Sequence, residues 1–99
     1  MRLTEKERTV IRETTREIFG PDASVYLFGS RTGDNARGGD IDLLVHSDTP
    51  INERERKSLQ LVARLQLRLG DQPIDVLVID PETPRLMIHE EALRSGVRL

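Results

Sequence analysis

The sequence contains no cysteine and no tryptophan, and its aromatics amount to two phenylalanines and one tyrosine. Without cysteine there are no disulfides, no thiolate metal site and no cysteine nucleophile, a composition that suits a reducing compartment. With so few aromatic rings there is little on which to stack the bases of single-stranded nucleic acid, and the core has to be built from Leu, Ile and Val. No apolar run approaches the roughly 20 residues that span a bilayer, and the opening stretch, MRLTEKERTV, is charged rather than signal-like. Nor is there an excess of positive charge: 15 Lys and Arg against 17 Asp and Glu give a net charge of −2, which counts against a general nucleic-acid binder. These absences point to a cytoplasmic protein without a membrane segment.

What is present fits one small domain covering residues 1–99, with 36% hydrophobic and 32% charged residues. Residues 4–19 have the marks of a helix: Thr4 and Glu7 stand at capping-box spacing, Val10, Ile11, Thr14 and Ile18 form one stripe, and Gly20-Pro21 ends it. Residues 24–29, SVYLFG, read as a strand, and 30–39 as a glycine-containing loop. A second strand covers 40–46. Asn52 with Glu55 is expected to open a long helix whose inner face carries Leu59, Val62, Leu65 and Leu69, ending at Gly70. PIDVLVID, 73–80, is a third strand, Thr83-Pro84 starts a last helix that Gly96 ends, and the closing VRL supplies a short edge strand. The order α-β-β-α-β-α predicts an α/β (α+β) fold, helices packed on a small mixed sheet of three or four strands. The long helix between the second and third strands permits a parallel crossover or an antiparallel return.

The stretch GDIDLLV places Asp40 and Asp42 at the head of an apolar strand. Side chains two apart on a strand share a face, so the carboxylates project together. With Cα atoms on the order of 6–7 Å apart, their repulsion at an effective dielectric near 20 is roughly 2–3 kcal/mol, which solvent or a divalent cation would offset. Alone the pattern is weak. Glu53 with Glu55 and Asp80 with Glu82 repeat it where a helix points the acids apart or a turn leaves them solvent-facing and capping. Asp75 strengthens it, because IDVLV repeats the context of IDLLV, and if the two strands are neighbours three carboxylates meet at one end of the sheet. Shared carboxylates are what two Mg²⁺ ions about 3.5–4 Å apart need. Gly29-Ser30 supplies a place for an anion: glycine admits a phosphate close to the backbone and the hydroxyl donates to it, with Arg31, and Arg37 if its loop folds inward, able to pair a terminal phosphate.

The combination LFGSRTGDNARGGDIDLLV followed by IDVLV resembles the signature of the DNA polymerase β-like nucleotidyltransferase superfamily, and the small size and the ending RLMIHEEALRSGVRL are most similar to the minimal nucleotidyltransferases of bacteria and archaea. The segment from Ser30 to Asp40 is one residue shorter than the commonest spacing of that family. The resemblance implies that Asp40, Asp42 and Asp75 are the catalytic, metal-binding carboxylates for two Mg²⁺ ions, with Asp75 helping to deprotonate the attacking hydroxyl. It implies that Gly29, Ser30 and Arg31 bind the nucleotide phosphates. The reaction would move a nucleoside monophosphate, AMP from ATP, to a hydroxyl. In such families the protein commonly serves as the antitoxin of a HEPN-domain toxin, modifying a tyrosine of its partner within a hetero-oligomer. The alternative is a non-catalytic antitoxin that neutralises the partner by complex formation; transfer to a small molecule or RNA ranks third for want of a second domain to bind it.

Other residues carry less. His46 and His89 are far apart in sequence and read as ordinary histidines, and the serines lack a His/Asp constellation for a hydrolase. The arginine-rich runs ERERK and ARLQLRL read as solvated helix faces, with partner docking the alternative. Met87 and Ile88 are expected in the core or at an interface.

Overall fold

In the computed structural model, which describes residues 3–29, 41–84 and 86–99, the elements in chain order are α1 (Glu5–Phe19), β1 (Ala23–Phe28), β2 (Ile41–Ser47), α2 (Arg54–Leu69), β3 (Ile74–Ile79), α3 (Met87–Ser95) and β4 (Val97–Arg98). The four strands lie in the order β3-β2-β1-β4. β1 runs antiparallel to β2 and β4, whereas β2 and β3 are parallel, so α2 is a crossover helix and the sheet is mixed.

Alternation along the strands divides the core. Val25, Leu27, Ile41, Leu43, Val45 and Ile74 join Ile11 of α1 with Leu61 and Leu65 of α2 in the larger cluster. On the opposite face Leu44 and Ile79 meet Ala92 of α3, with Tyr26, Phe28, Leu77 and Leu93 around them. Among the described residues, the sheet therefore has α1 and α2 on one face and α3 on the other.

Thr4 caps α1 as its spacing predicts: its hydroxyl accepts from Glu7 N–H at 3.0 Å while Glu7 Oε1 accepts from Thr4 N–H at 3.0 Å. The expected opening of α2 is not observed. Glu53 is its N-cap, held in a left-handed conformation at φ 55° with no side-chain cap, so the Asn52–Glu55 spacing does not make a capping box. The inward face of α2 is also rotated from the one expected. Leu61 and Leu65 are fully buried, Val62 and Leu69 pack at the margin, and Leu59 is 71% exposed. The helix begins later than Thr83-Pro84 in the case of α3, whose N-cap is Leu86, and the Thr83 hydroxyl instead serves Asp80. Met87 is 87% exposed rather than in the core, and the Ile88 side chain lies outside the described residues.

Arginines of the run ARLQLRL, expected as solvated surface, tie elements together. Arg64 and Arg68 of α2 reach Glu17 of α1 at 3.3 and 3.0 Å, and Arg68 also donates to the Thr14 hydroxyl at 2.7 Å. Glu17 is held below the usual carboxylate range, chiefly by its hydrogen bond from Arg68.

Candidate active site

Three elements converge at one end of the sheet, where β1 ends and β2 and β3 begin. Asp42 is the second residue of β2 and Asp75 the second of β3, and the parallel register sets them directly abreast. Phe28, the last residue of β1, is opposite Asp42 on its other side. Residues in register share a face, so both carboxylates project from the face that carries α3, with Asp42 half-buried and Asp75 exposed. The apolar residues that follow each acid, Leu43 to Val45 and Val76 to Val78, run into the core and fix where the acids stand.

Gly29 follows β1 immediately and adopts φ 78°, a conformation that L side chains rarely take. A Cβ added there would overlap Oδ2 of Asp42 and come within 3.2 Å of its Cγ. The glycine is thus needed twice, for its backbone angle and for the space the carboxylate occupies. Asp42 and Gly29, although not neighbours in sequence, form one close-packed unit at the sheet end.

The remaining residues expected in this site, Ser30, Arg31 and Asp40, lie outside the described residues, as does Arg37. The fit to a hard cation therefore rests on the donors that are described. Two carboxylates abreast on one face, reachable from solvent, repel each other when both are ionised and offer the oxygen ligands that Mg²⁺ prefers.

Sequence reasoning misjudged the burial of another acid. Asp80, expected as a solvent-facing and capping turn residue, does accept from backbone N–H groups but is only 3% exposed. Its Oδ2 accepts from Ile51 N–H at 2.7 Å, and its Oδ1 accepts from Arg54 Nη1 at 2.8 Å, Glu82 N–H at 3.0 Å and the Thr83 hydroxyl at 2.8 Å. The Ile51 N–H above all, with Thr83, Arg54 and Glu82 adding to it, holds the carboxyl well below its ordinary range although burial alone would raise it. This knot ties the end of β3 to the start of α2, at the opposite end of the strands from Asp42 and Asp75. The signal for it was an acid ending an apolar strand two residues before a possible N–H donor and three before a threonine, the spacing of an Asx-type turn. His89 is likewise buried, and its Nδ1 accepts from Leu86 N–H at 3.2 Å to cap α3, a structural role.

No curated protein matches the chain in sequence. Among solved structures, its fold is similar to that of the toxin-antitoxin MntA-HepT, with a TM-score of 0.66 at 19% identity over 96% of this chain and 70% of that one. A mutant of the toxin-antitoxin gives a TM-score of 0.68 at 20% identity, covering 93% of this chain and 70% of that one. A protein from Shewanella oneidensis gives 0.69 at 14% identity, covering 98% and 71%. At these identities the likeness is one of fold. The family model described as a nucleotidyltransferase domain matches residues 9–98, nearly the whole length, and the chain therefore belongs to the nucleotidyltransferase domain family.

Proposed function

We propose that this chain transfers a nucleoside monophosphate, AMP from ATP, to a hydroxyl of a partner protein, a tyrosine of a HEPN-domain toxin that it thereby neutralises. The observation that carries this reading is the register of Asp42 with Asp75, two carboxylates abreast beside a glycine whose missing side chain makes room for one of them. The toxin-antitoxin likeness supports the choice of partner, and a cytoplasmic setting supplies the ATP.

Asp42 and Asp75, with Asp40 from the same motif, would hold Mg²⁺. Bound there, Mg²⁺ would neutralise the phosphate charge that develops during transfer. Gly29 makes room for the Asp42 carboxylate, and Gly29, Ser30 and Arg31 would face the nucleotide phosphates, with Ser30 and Arg31 as the expected side-chain donors to them. Asp75, the more exposed acid, would accept the proton of the incoming hydroxyl. The hydroxyl oxygen forms a bond to the α-phosphorus, the bond from that phosphorus to the α–β bridging oxygen breaks, and pyrophosphate leaves. Asp42 is anchored by its core-bound strand and serves to position rather than to exchange protons.

The test is incubation of the protein with α-labelled ATP, Mg²⁺ and a co-purified HEPN-domain partner. Label on a partner tyrosine with the wild type, and none with Asp42→Asn, is the expected result. A stable complex that neutralises the toxin without label, and does so equally well with folded Asp42→Asn, would overturn catalysis in favour of neutralisation by binding alone.

A further inference from the structure

The order β3-β2-β1-β4 leaves β3 with one side that meets no strand among the described residues. A single hydrogen bond tells which backbone groups point that way: Ile41 N–H donates to the Pro73 carbonyl at 2.9 Å. In a parallel ladder a residue's N–H and C=O turn to the same side, so residues 73, 75, 77 and 79 address β2, while Ile74, Val76 and Val78 offer theirs outward. β3 contains neither Pro nor Lys, has Asp75 as its one charged residue, and pairs with β2 through six consecutive positions without a bulge.

Beside this edge runs a groove of about 270 Å³, floored by Val76, Leu77 and Val78 and flanked by Glu55 and Ser58 of α2 and by His89 of α3. Exposed apolar side chains stand on the same flanking elements: Leu59 next to Ser58, and Leu86 and Met87 at the start of α3. Two exposed carboxylates lie along this edge: Glu55, which lines the groove beside Arg54, itself paired with Asp80, and Asp75, which stands outside the groove at the start of β3. A matching occupant is extended, apolar in its middle, and basic at both ends. A second copy joined through its own β3 fits less well. α2 packs against β3, so two such helices would stand over strands about 4.8 Å apart, whereas packed helices need about 8–10 Å.

We propose that the outer edge of β3 takes an extended segment of the acceptor protein as a fifth strand, and that this pairing brings the acceptor hydroxyl to Asp75. A residue opposite Asp75 on the added strand projects from the same face, with its Cβ about 5 Å from that of Asp75. Main-chain hydrogen bonds supply the grip, and the side chains on either face choose the sequence. Delivery of the hydroxyl rests on the transfer reaction proposed above, whereas strand addition is independent of it.

The probe is a short end-blocked peptide of alternating valine and threonine, lysine at each end and one tyrosine beside a lysine, added at millimolar concentration to the full-length protein. Amide hydrogen exchange read by NMR should slow about tenfold or more at Val76 and Val78, while Leu77 and Ile79 stay protected with or without peptide. The same peptide N-methylated at the residues that would donate to β3 should leave Val76 and Val78 unchanged. Unprotected Val76 and Val78, or equal protection by the N-methylated peptide, overturns strand addition. So does protection that arises in concentrated protein without peptide, which assigns the edge to a second copy. With ATP and Mg²⁺, the tyrosine of the unmodified peptide should be labelled and that of the N-methylated one should not. Label on the HEPN-domain partner but never on a bound peptide overturns hydroxyl delivery at this edge and leaves the transfer reading intact, and label on neither overturns the transfer reading itself.

Discussion

Replacing Gly29 with alanine tests the closest packing in the candidate site. An alanine held at φ 78° pays about 1–2 kcal/mol for the left-handed backbone. Its Cβ also overlaps the Asp42 carboxylate, and overpacking of this kind costs about 1–3 kcal/mol as the neighbour is pushed aside. The sum, about 2–5 kcal/mol, is a large part of the 5–15 kcal/mol that stabilises a typical domain. For a chain of this size it lowers the melting midpoint by roughly 4–8 °C for each kcal/mol. The two contributions separate in a double-mutant cycle. Asp42→Ala removes the obstructing carboxylate, so in its presence Gly29→Ala should cost only the backbone part, and the coupling should be about 1–3 kcal/mol. Urea unfolding of the four proteins at pH 7 measures it. Additivity within about 0.5 kcal/mol would show that the carboxylate does not occupy the space above Gly29, and the reasoning about that glycine would fail.

Asp75→Asn should reduce transfer by about 10²–10⁴-fold if Asp75 takes the hydroxyl proton, while stability stays within about 0.5 kcal/mol because the residue is exposed; activity and melting measured on one preparation check both. Leu61→Ala should cost about 2–5 kcal/mol, whereas Leu59→Ala should stay within about 0.5 kcal/mol, a contrast that urea unfolding reads directly. Asp80 has its carboxyl pKa depressed on folding, so its contribution is fully present above the unfolded value near 4 and is lost progressively as pH falls below it. Melting midpoints between pH 7 and pH 2 should therefore fall more steeply for the wild type than for Asp80→Asn. Parallel curves would remove Asp80 from the account of acid stability.

How far the sequence could be read depended on the range of the interactions involved. The Thr4 cap, the Gly20 stop and the strands were legible because each is set by residues within a few positions. IDLLV and IDVLV identified two strands with an acid near their start, but only the three-dimensional crossover decides that they run parallel and in register. The turn of α2 was misjudged because Leu59 and Leu61 are equally apolar, and the choice between them falls to α1 and the sheet, which bury Leu61 and Leu65. Asp80 was underrated for a similar reason. Two of its partners, Ile51 and Arg54, are 29 and 26 residues away, and no local pattern announces them.

The knot around Asp80 has a consequence at a distance. A slip of β3 by one residue along β2 would turn Asp75 toward α2 and put an aliphatic side chain beside Asp42. Asp80 opposes that slip by fastening β3 to Ile51 and Arg54 at the far end of the strands. The register that sets Asp42 and Asp75 abreast is thus held partly at the far end of the strands, so substitutions close to the two acids can accumulate while Asp80, Ile51 and Arg54 keep the spacing of the carboxylates.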